Sequence, residues 1–592
     1  MQAAGNVTSK VEKRAWLPFL WVIMSSALAH LWCLGSQFYM DDFPQIVDSQ
    51  RIRTGDFIQG LNTWTNFWYC IEYRLCGLSP VAFHAVNWIL HTAVASILFG
   101  FGRDFLRHEW PAAVALFGAL LFAVHPLASE IPNYARTQDL AWVTLFSLLA
   151  GWAMLRYLRE SRLPVSMTED GEIPKTNQYG QRWNLVFCTT AMAGAAFSKG
   201  PGLFHAAMVV GMVIITNLPE RPWKIQKRWI WIAAVSSVAA VGIIVWVTDT
   251  LSFGLSAMNQ WREPRFMGHG FTLGRVFWEF AWRCVVPVSL SSDHHIAETL
   301  IPLGRSPWAI PDKIALLAMA GLLVTAGFSG WLIWQKSTRL FGACLALFVA
   351  TIWFRIFYLI PEFMPEYRIY PGLPWFCLGV AILLAAVWKW IFAQRSPRPL
   401  VVILLLLFAF LSAKRSFLWR DLDRLMADVL KQYPAQGRAI WELHDRDMAA
   451  GKWQKIVDRQ EQVWPEVRQK FITQLRVLAP ARELPTGHFS LAEVACMGRY
   501  ARAISHVKGP AEGIRLIREL EGYMHGMKID PITNPAHWTL FSRDKALVLE
   551  TAGNYQAALD VLRPEDTPVT WQQDWQRISK KLADSKRTTT GE

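Results

Sequence analysis

Long apolar blocks separated by short polar stretches dominate this 592-residue chain as far as about residue 411. The blocks run over residues 16–34, 81–101, 111–124, 140–155, 185–197, 203–215, 229–247, 314–334, 340–360, 371–392 and 399–411. Read as membrane helices they give about eleven spans. Several are shorter than the roughly 20 residues that cross a bilayer and must borrow flanking residues. The pair within 185–215 could instead form a re-entrant hairpin, which leaves the sidedness of later segments unchanged. Block 16–34 follows Lys10, Lys13 and Arg14 and has no small-residue cleavage site, so it reads as a retained first helix.

Past residue 411 the pattern becomes charged and helix-forming. Residues 546–565 read as two short helices around Ala552-Gly553-Asn554, and Gly451-Lys452-Trp453 sits in a similar setting. The expected fold is therefore all-α: a polytopic membrane domain over 16–411, then a helical domain over 412–580 that resembles tetratricopeptide repeats. Residues 1–15 form a cytoplasmic N-terminus, and 581–592 a polar tail expected to fray.

Charge sets the orientation. With the N-terminus inside, the inner loops collect Arg103 and Arg107; Arg156, Arg159, Arg162, Lys175 and Arg182; Arg221, Lys224, Lys227 and Arg228; Lys336 and Arg339; and Lys389, Arg395 and Arg398. The short outer loops hold one cation each: Arg136, Lys199 and Arg368. This is the positive-inside pattern. It places loops 36–80 and 249–312, and everything after the last span, outside. Residues 278–288 in the second loop carry aromatic and apolar positions on one face, as an interfacial helix or a plain linker helix would.

Composition agrees. The chain is 53% hydrophobic and 18% charged, with 31 Trp and 34 Phe, too apolar for an ordinary soluble protein. A net charge of +14 would elsewhere suggest nucleic acid, but here the inner loops account for it, and no nucleic-acid-binding motif is present. Of the 8 Cys, most lie within or beside apolar blocks as small buried hydrophobes. Cys70 and Cys76 share an outer loop and could pair.

The candidate chemistry begins at Asp41 and Asp42, adjacent carboxylates just beyond the first span. Such a pair is costly against lipid. It faces water as a loop start or helix cap, or else a substrate or cation, as a general base or metal ligand. Arg136, Lys199 and Arg368 lie far apart in sequence but on the same side. Each alone could be a surface charge or an ion-pair partner of Glu130, Asp139 or Glu366. Together they form a site for an anionic group such as the phosphate at the head of a lipid. His125, at the outer end of a span, is a better supporting candidate than His84 and His91, which read as packed membrane histidines. Asp293-His294-His295 is a weak metal signal that could add His294 to Asp41 and Asp42.

Five blocks in order carry a resemblance: Tyr39–Asp48 (YMDDFPQIVD), Phe83–His91 (FHAVNWILH), Leu121–Pro126 (LFAVHP), Ser198-Lys199, and Glu366–Tyr370 (EYRIY). They resemble the membrane half of the transmembrane-and-tetratricopeptide O-mannosyltransferases and their bacterial relatives, within the wider GT-C glycosyltransferases. The match covers roughly residues 30–415. Residues 59–63 and Gly200 depart from the family pattern. The resemblance implies a polyprenyl-phosphate sugar as donor, Asp41 or Asp42 as base or metal ligand, and Arg136, Lys199 and Arg368 near the donor phosphate, with Asp139, Glu366, Tyr367 and His125 in support. It also implies a divalent metal as the one cofactor to consider, an acceptor protein or glycan, membrane lipid and protein partners at the helical domain, and no nucleic acid. The implied location is a bacterial inner membrane with that domain periplasmic. A non-catalytic scaffold subunit that docks partners is the alternative.

Overall fold

The computed structural model describes residues 16–58, 62–161, 175–217, 265–294, 313–353, 364–392, 398–434, 436–478, 491–526, 535–562 and 571–590. Among these, regular structure is entirely helical. The expected span at 229–247 lies outside the described residues, as do residues 59–61, His295 and the inner-loop cations Arg162, Arg221, Lys224, Lys227, Arg228 and Arg395.

The chain divides into two units, the first including residues up to Leu422 and the second Asp423–Glu592 together with Asp293 and His294. The first unit contains α1 (Leu17–His30), α2 (Thr63–Cys76), α3 (Pro80–Leu106), α4 (Ala112–Ala123), α5 (Gln138–Glu160), α6 (Lys175–Ser198), α7 (Gly202–Thr216), α8 (Arg265–Val285), α9 (Lys313–Trp334), α10 (Arg339–Trp353), α11 (Leu373–Phe392) and α12 (Arg398–Leu418). Among the described residues, 6 helices are long and apolar enough to span a membrane. A seventh candidate is the pair Ala112–Ala123 and Pro126–Asn133, bent by 53°. Pro126 falls at the break and lacks the N–H a continuous helix needs. Two shorter apolar helices, Gly202–Thr216 and Arg339–Thr351, accompany them. The chain is thus an integral membrane protein.

Packing centres on α5. It lies along α6 and α7 and also meets α3; α4 meets α3 and α11, while α12 lies on α1. Small residues set the spacing, as membrane helices need in the absence of a hydrophobic drive between them. Gly118 of α4 faces the backbone of α11, where an added Cβ would come within 3.2 Å of Leu378 Cα. The α7 start depends on Gly202, whose missing side chain leaves room for the Ala195 carbonyl of α6.

The membrane domain extends past the expected end at 411. Helix α12 continues to Leu418 because its last turns are anchored: Ser412 donates to the Val124 carbonyl at 2.8 Å, Ser416 bonds Asn133 at 2.8 Å, and Arg415 reaches Glu366. The outer segment 36–80 is likewise not all loop, since α2 fills its second half. This overturns the pairing of Cys70 and Cys76. Both are free thiols on α2, Cys70 buried and Cys76 exposed. Six residues of helix separate them by about 9 Å along the axis, beyond what a disulfide bridges.

The second unit comprises α13 (Leu422–Gln432), α14 (Gly437–Ala449), α15 (Trp453–Leu478), α16 (Leu491–Val507), α17 (Pro510–Gly526), α18 (Pro535–Thr551), α19 (Tyr555–Val561) and α20 (Gln572–Thr590). Both expected turns are present. Gly451 (φ 66°) and Gly553 (φ 76°) take the left-handed conformation that ends α14 and α18. The tail does not fray at 581. Helix α20 continues to Thr590 because Ile578 is buried and Arg577 and Lys581 pair with Glu550.

A buried histidine ties this unit to pH. His444 is fully buried, and burial, with Arg459 and Arg499 nearby, pushes it well below the usual histidine range. The unfolded chain takes up a proton below about pH 6.5 that the folded chain refuses, so stability falls as pH falls through that value. The His444→Gln variant should lose less thermal stability than the wild type between pH 7.5 and 5.5. Parallel pH profiles of the melting midpoint in the two proteins would refute this.

Candidate functional site

The two aspartates leave α1 through a short 3-10 turn, Leu31–Gly35. The loop that follows is tied to the bend after α4: Ser36 donates to Asn133 Oδ1 at 3.1 Å, and His84 bridges the Gln37 and Pro132 carbonyls at 3.1 and 3.0 Å. Met40 stands at φ 49°. A long side chain rarely adopts that left-handed value, and the turn it makes separates the neighbouring carboxylates.

Asp42 turns inward. It is fully buried, its Oδ2 accepts from the Tyr39 N–H at 3.0 Å, and its Oδ1 accepts from the Arg136 N–H at 2.7 Å. Burial raises its pKa to about 7, against the lowering effect of those two bonds. Asp41 turns outward. Its side chain is 39% exposed and lies 3.7 Å from Arg136 Nε, while its N–H donates to Tyr134 Oη at 3.1 Å. One aspartate fastens two loops together, and the other presents a carboxylate.

Opposite Asp41 lies a compact ion cluster. Asp139, at the start of α5, is 4% exposed; it accepts from Lys199 Nζ at 2.6 Å and meets Arg136 Nη1 at 3.4 Å. Lys199 occupies the tight turn between α6 and α7, closed by the Gly202 N–H on the Lys199 carbonyl at 2.7 Å. Enclosure lowers its pKa to about 8; Asp139 opposes the shift, while Arg136 and Arg368 add to it. The Tyr367 ring has Lys199 on it at 6.0 Å and Arg368 at the same distance, the outer range of a cation–π contact.

The Tyr367 turn is pinned by buried carboxylates. Glu130 Oε2 accepts from the Tyr367 N–H at 2.7 Å. Glu366, fully buried, accepts from Arg415 Nη2 at 2.6 Å and from the Ser291 N–H at 2.7 Å. Tyr134 stacks on buried Trp419 at 5.7 Å. Glu130 and Glu366 therefore serve as braces, and Asp139 is the carboxylate shared by Arg136 and Lys199.

Asp41, Arg136, Asp139, Lys199, Tyr367 and Arg368 thus converge from four separate stretches of chain. His125 does not join them: its Nδ1 accepts from the Leu127 N–H at 3.2 Å and its Nε2 bonds the Cys284 carbonyl of α8 at 3.0 Å, so one nitrogen serves the local turn and the other ties it to α8. His294 belongs to the second unit, where its Nδ1 bonds Tyr433 Oη at 3.0 Å. Among the described residues no group of three or more His, Cys, Asp or Glu gathers as a metal site, so the set Asp41, Asp42 and His294 is not assembled. Sequence reasoning missed Arg415, Tyr134 and Trp419. Arg415 was visible as a cation seven residues into a helical register from Phe408, but nothing in the sequence paired it with Glu366.

No family model matches the chain. A curated protein O-mannosyl-transferase of Caenorhabditis elegans is 30% identical over 150 residues, which cover 22% of this chain and 21% of that protein. The chain therefore aligns with about a fifth of the length of that relative. Two crystal structures of ArnT from Cupriavidus metallidurans also match, one bound to undecaprenyl phosphate and one in the apo state. They show 12% and 13% identity and TM-scores of 0.34 and 0.31, over 93% and 95% of this chain and 80% of each of theirs. A likeness of that grade leaves the fold to rest on this chain's own helices. The O-mannosyl-transferase match agrees with the resemblance carried by the sequence blocks.

Proposed function

We propose that this protein transfers a sugar from a polyprenyl-phosphate carrier to a hydroxyl-bearing acceptor, protein or glycan, on the extracytoplasmic face of a bacterial inner membrane. The observation that carries this reading is the meeting of a partly exposed carboxylate, Asp41, with the cations Arg136, Lys199 and Arg368 at the outer ends of apolar helices. A base facing an anion-binding cluster beside lipid suits a lipid-borne phosphate as leaving group.

In this mechanism Asp41 takes the proton of the acceptor hydroxyl. The acceptor oxygen forms a new bond to the sugar's anomeric carbon as the bond from that carbon to the phosphate oxygen breaks. The electron pair stays on the polyprenyl phosphate, where Arg136, Lys199 and Arg368 stabilise the growing charge. Asp139 holds two of these cations in place between turnovers. Tyr367 and Glu366 act through position, and the helical hairpins of the second unit, read as tetratricopeptide-like, present the acceptor or a partner. A divalent metal fits the described donors poorly. Asp139 already meets two cations and both oxygens of Asp42 accept backbone N–H groups, so no step is routed through one.

Two variants separate the aspartates. Asp41→Asn should cut transfer from a radiolabelled polyprenyl-phosphate sugar by about 10²–10⁴-fold and leave the melting midpoint unchanged. Asp42→Ala should lower stability by about 1–3 kcal/mol through two orphaned backbone donors, with activity falling alongside. Full transfer by Asp41→Asn would sink the mechanism and move the protein to the scaffold reading.

The Lys199 amine adds a pH signature. Its charged form is lost above about pH 8, well below the ordinary lysine range. Affinity for farnesyl phosphate should therefore weaken by up to about tenfold per pH unit above that value. Lys199→Arg should hold its affinity to pH 9.5. Equal pH dependence in both proteins would remove Lys199 from the phosphate site.

A further inference from the structure

Beside the ion cluster, α2 and α5 face each other along a ladder of side chains. Trp64, Trp68 and Glu72 recur every fourth residue on one face of α2, and Gln138, Trp142 and Phe146 do the same on α5. The rungs run antiparallel. Gln138 Nε2 donates to Glu72 Oε1 at 2.7 Å, Trp68 stacks on Trp142 at 5.3 Å and 23°, and Trp64 meets Phe146 edge-on at 5.5 Å. Thr65 donates to the Ser198 carbonyl at 3.0 Å, fixing α2 to the residue before Lys199.

Good packing does not satisfy this ladder's polar atoms. The indole N–H groups of Trp64, Trp68 and Trp142 are buried without a hydrogen-bond partner, as are Glu72 Oε2, Gln138 Oε1 and Asp139 Oδ1. Buried polar atoms are nearly always paired, and Trp N–H groups in particular find acceptors. Unmatched donors and acceptors gathered along two facing helices form the complement of a ligand whose groups both donate and accept. Hydroxyls do both. Trp64 and Trp68 are each partly exposed, and a partly exposed indole is a flat apolar surface of the kind that C–H faces of a sugar cover. The patch ends at Asp139, whose other oxygen holds Lys199 and meets Arg136. Burial raises the Glu72 pKa to about 8, so its carboxyl is protonated at neutral pH and can donate as well.

We infer that Trp64, Trp68 and Trp142, closed by Glu72 and Gln138, form the subsite for the hexose carried on the donor phosphate. The inference deepens the proposed transfer reaction and rests on it: the cations hold the phosphate and the ladder reads the ring attached to it.

The test uses the full-length protein in nanodiscs and three calorimetric probes: farnesyl phosphate, farnesyl phosphate mannose and farnesyl phosphate glucose. Trp68→Phe and Trp142→Phe keep an aromatic ring in the stack while removing the N–H and part of the ring area. Each should weaken binding of the preferred sugar-bearing probe by about five- to tenfold, the equivalent of one hydrogen bond, and leave farnesyl phosphate unchanged. Glu72→Met, which keeps the side chain's length and removes both oxygens, should behave likewise and supplies the readout if a Trp variant does not fold. The inference is overturned if the wild type binds all three probes equally. It is equally overturned if the variants weaken all three alike or none. Failure of the wild type to bind farnesyl phosphate would instead refute the transfer reading beneath it.

Discussion

Charge beside lipid must be answered by charge, and in this protein Asp139 supplies the answer. Bringing Lys199 and Arg136 together at the end of a membrane helix would cost far more than it returned if both were left unmatched. At 4% exposure, Asp139 meets both. Asp139 and Asp41 together balance Lys199 and Arg136, and Arg368, 6.0 Å from the same Tyr367 ring that Lys199 meets, leaves one positive charge in excess. This imbalance is the electrostatic basis of the anion site proposed above. The pinning of Lys199 in turn requires Gly202, which lets the α6 and α7 backbones approach closely enough to form the turn that carries the lysine.

The second pair of carboxylates works by a different logic. Glu366 is fully buried and its oxygens are used by Arg415 and the Ser291 N–H. A buried pair of this kind adds little net stability over an apolar replacement, but it fixes geometry, because losing one partner strands the other. What it fixes is the 3-10 turn bearing Tyr367 and Arg368, locked to the last turn of α12. Glu130 repeats the device through the Tyr367 N–H. The turn whose Tyr367 ring lies 6.0 Å from both Lys199 and Arg368 is therefore braced by two buried acids.

The membrane domain was legible in the sequence because hydropathy and loop charge report directly on the physics of crossing a bilayer. The convergence of Arg136, Lys199 and Arg368 was legible for the same reason: a lone cation in a short outer loop needs a cause. The division of labour between Asp41 and Asp42 was not. It depends on which carboxylate accepts the Tyr39 and Arg136 N–H groups, and backbone direction is invisible to residue type. The end of α12 was misjudged at 411 because Ser412, Arg415 and Ser416 look like the start of a soluble segment, whereas they are buried against Val124, Glu366 and Asn133. Cys70 and Cys76 misled for the opposite reason: proximity in sequence is separation on a helix. The four-residue spacing of Trp64, Trp68 and Glu72, and of Gln138, Trp142 and Phe146, was present all along. Only the packing of α2 on α5 gives it meaning.

Met40 shows how these constraints combine. A non-glycine residue at φ 49° stores strain on the order of 1–3 kcal/mol, and such strain persists only where its surroundings over-determine it. Here they do. Asp42 is held on one side by two backbone N–H groups, and the chain before Met40 is held by Ser36 on Asn133 and by His84 on Gln37. Between two fixed ends, the turn at Met40 allows adjacent side chains to face opposite ways, one into the protein and one toward Arg136. A relaxed extended backbone would also alternate them, but it would not return the Asp42 carboxylate to the Tyr39 N–H three residues earlier. The strain is thus the local cost of holding a partly exposed carboxylate against the cation cluster on a loop that a buried aspartate keeps in place.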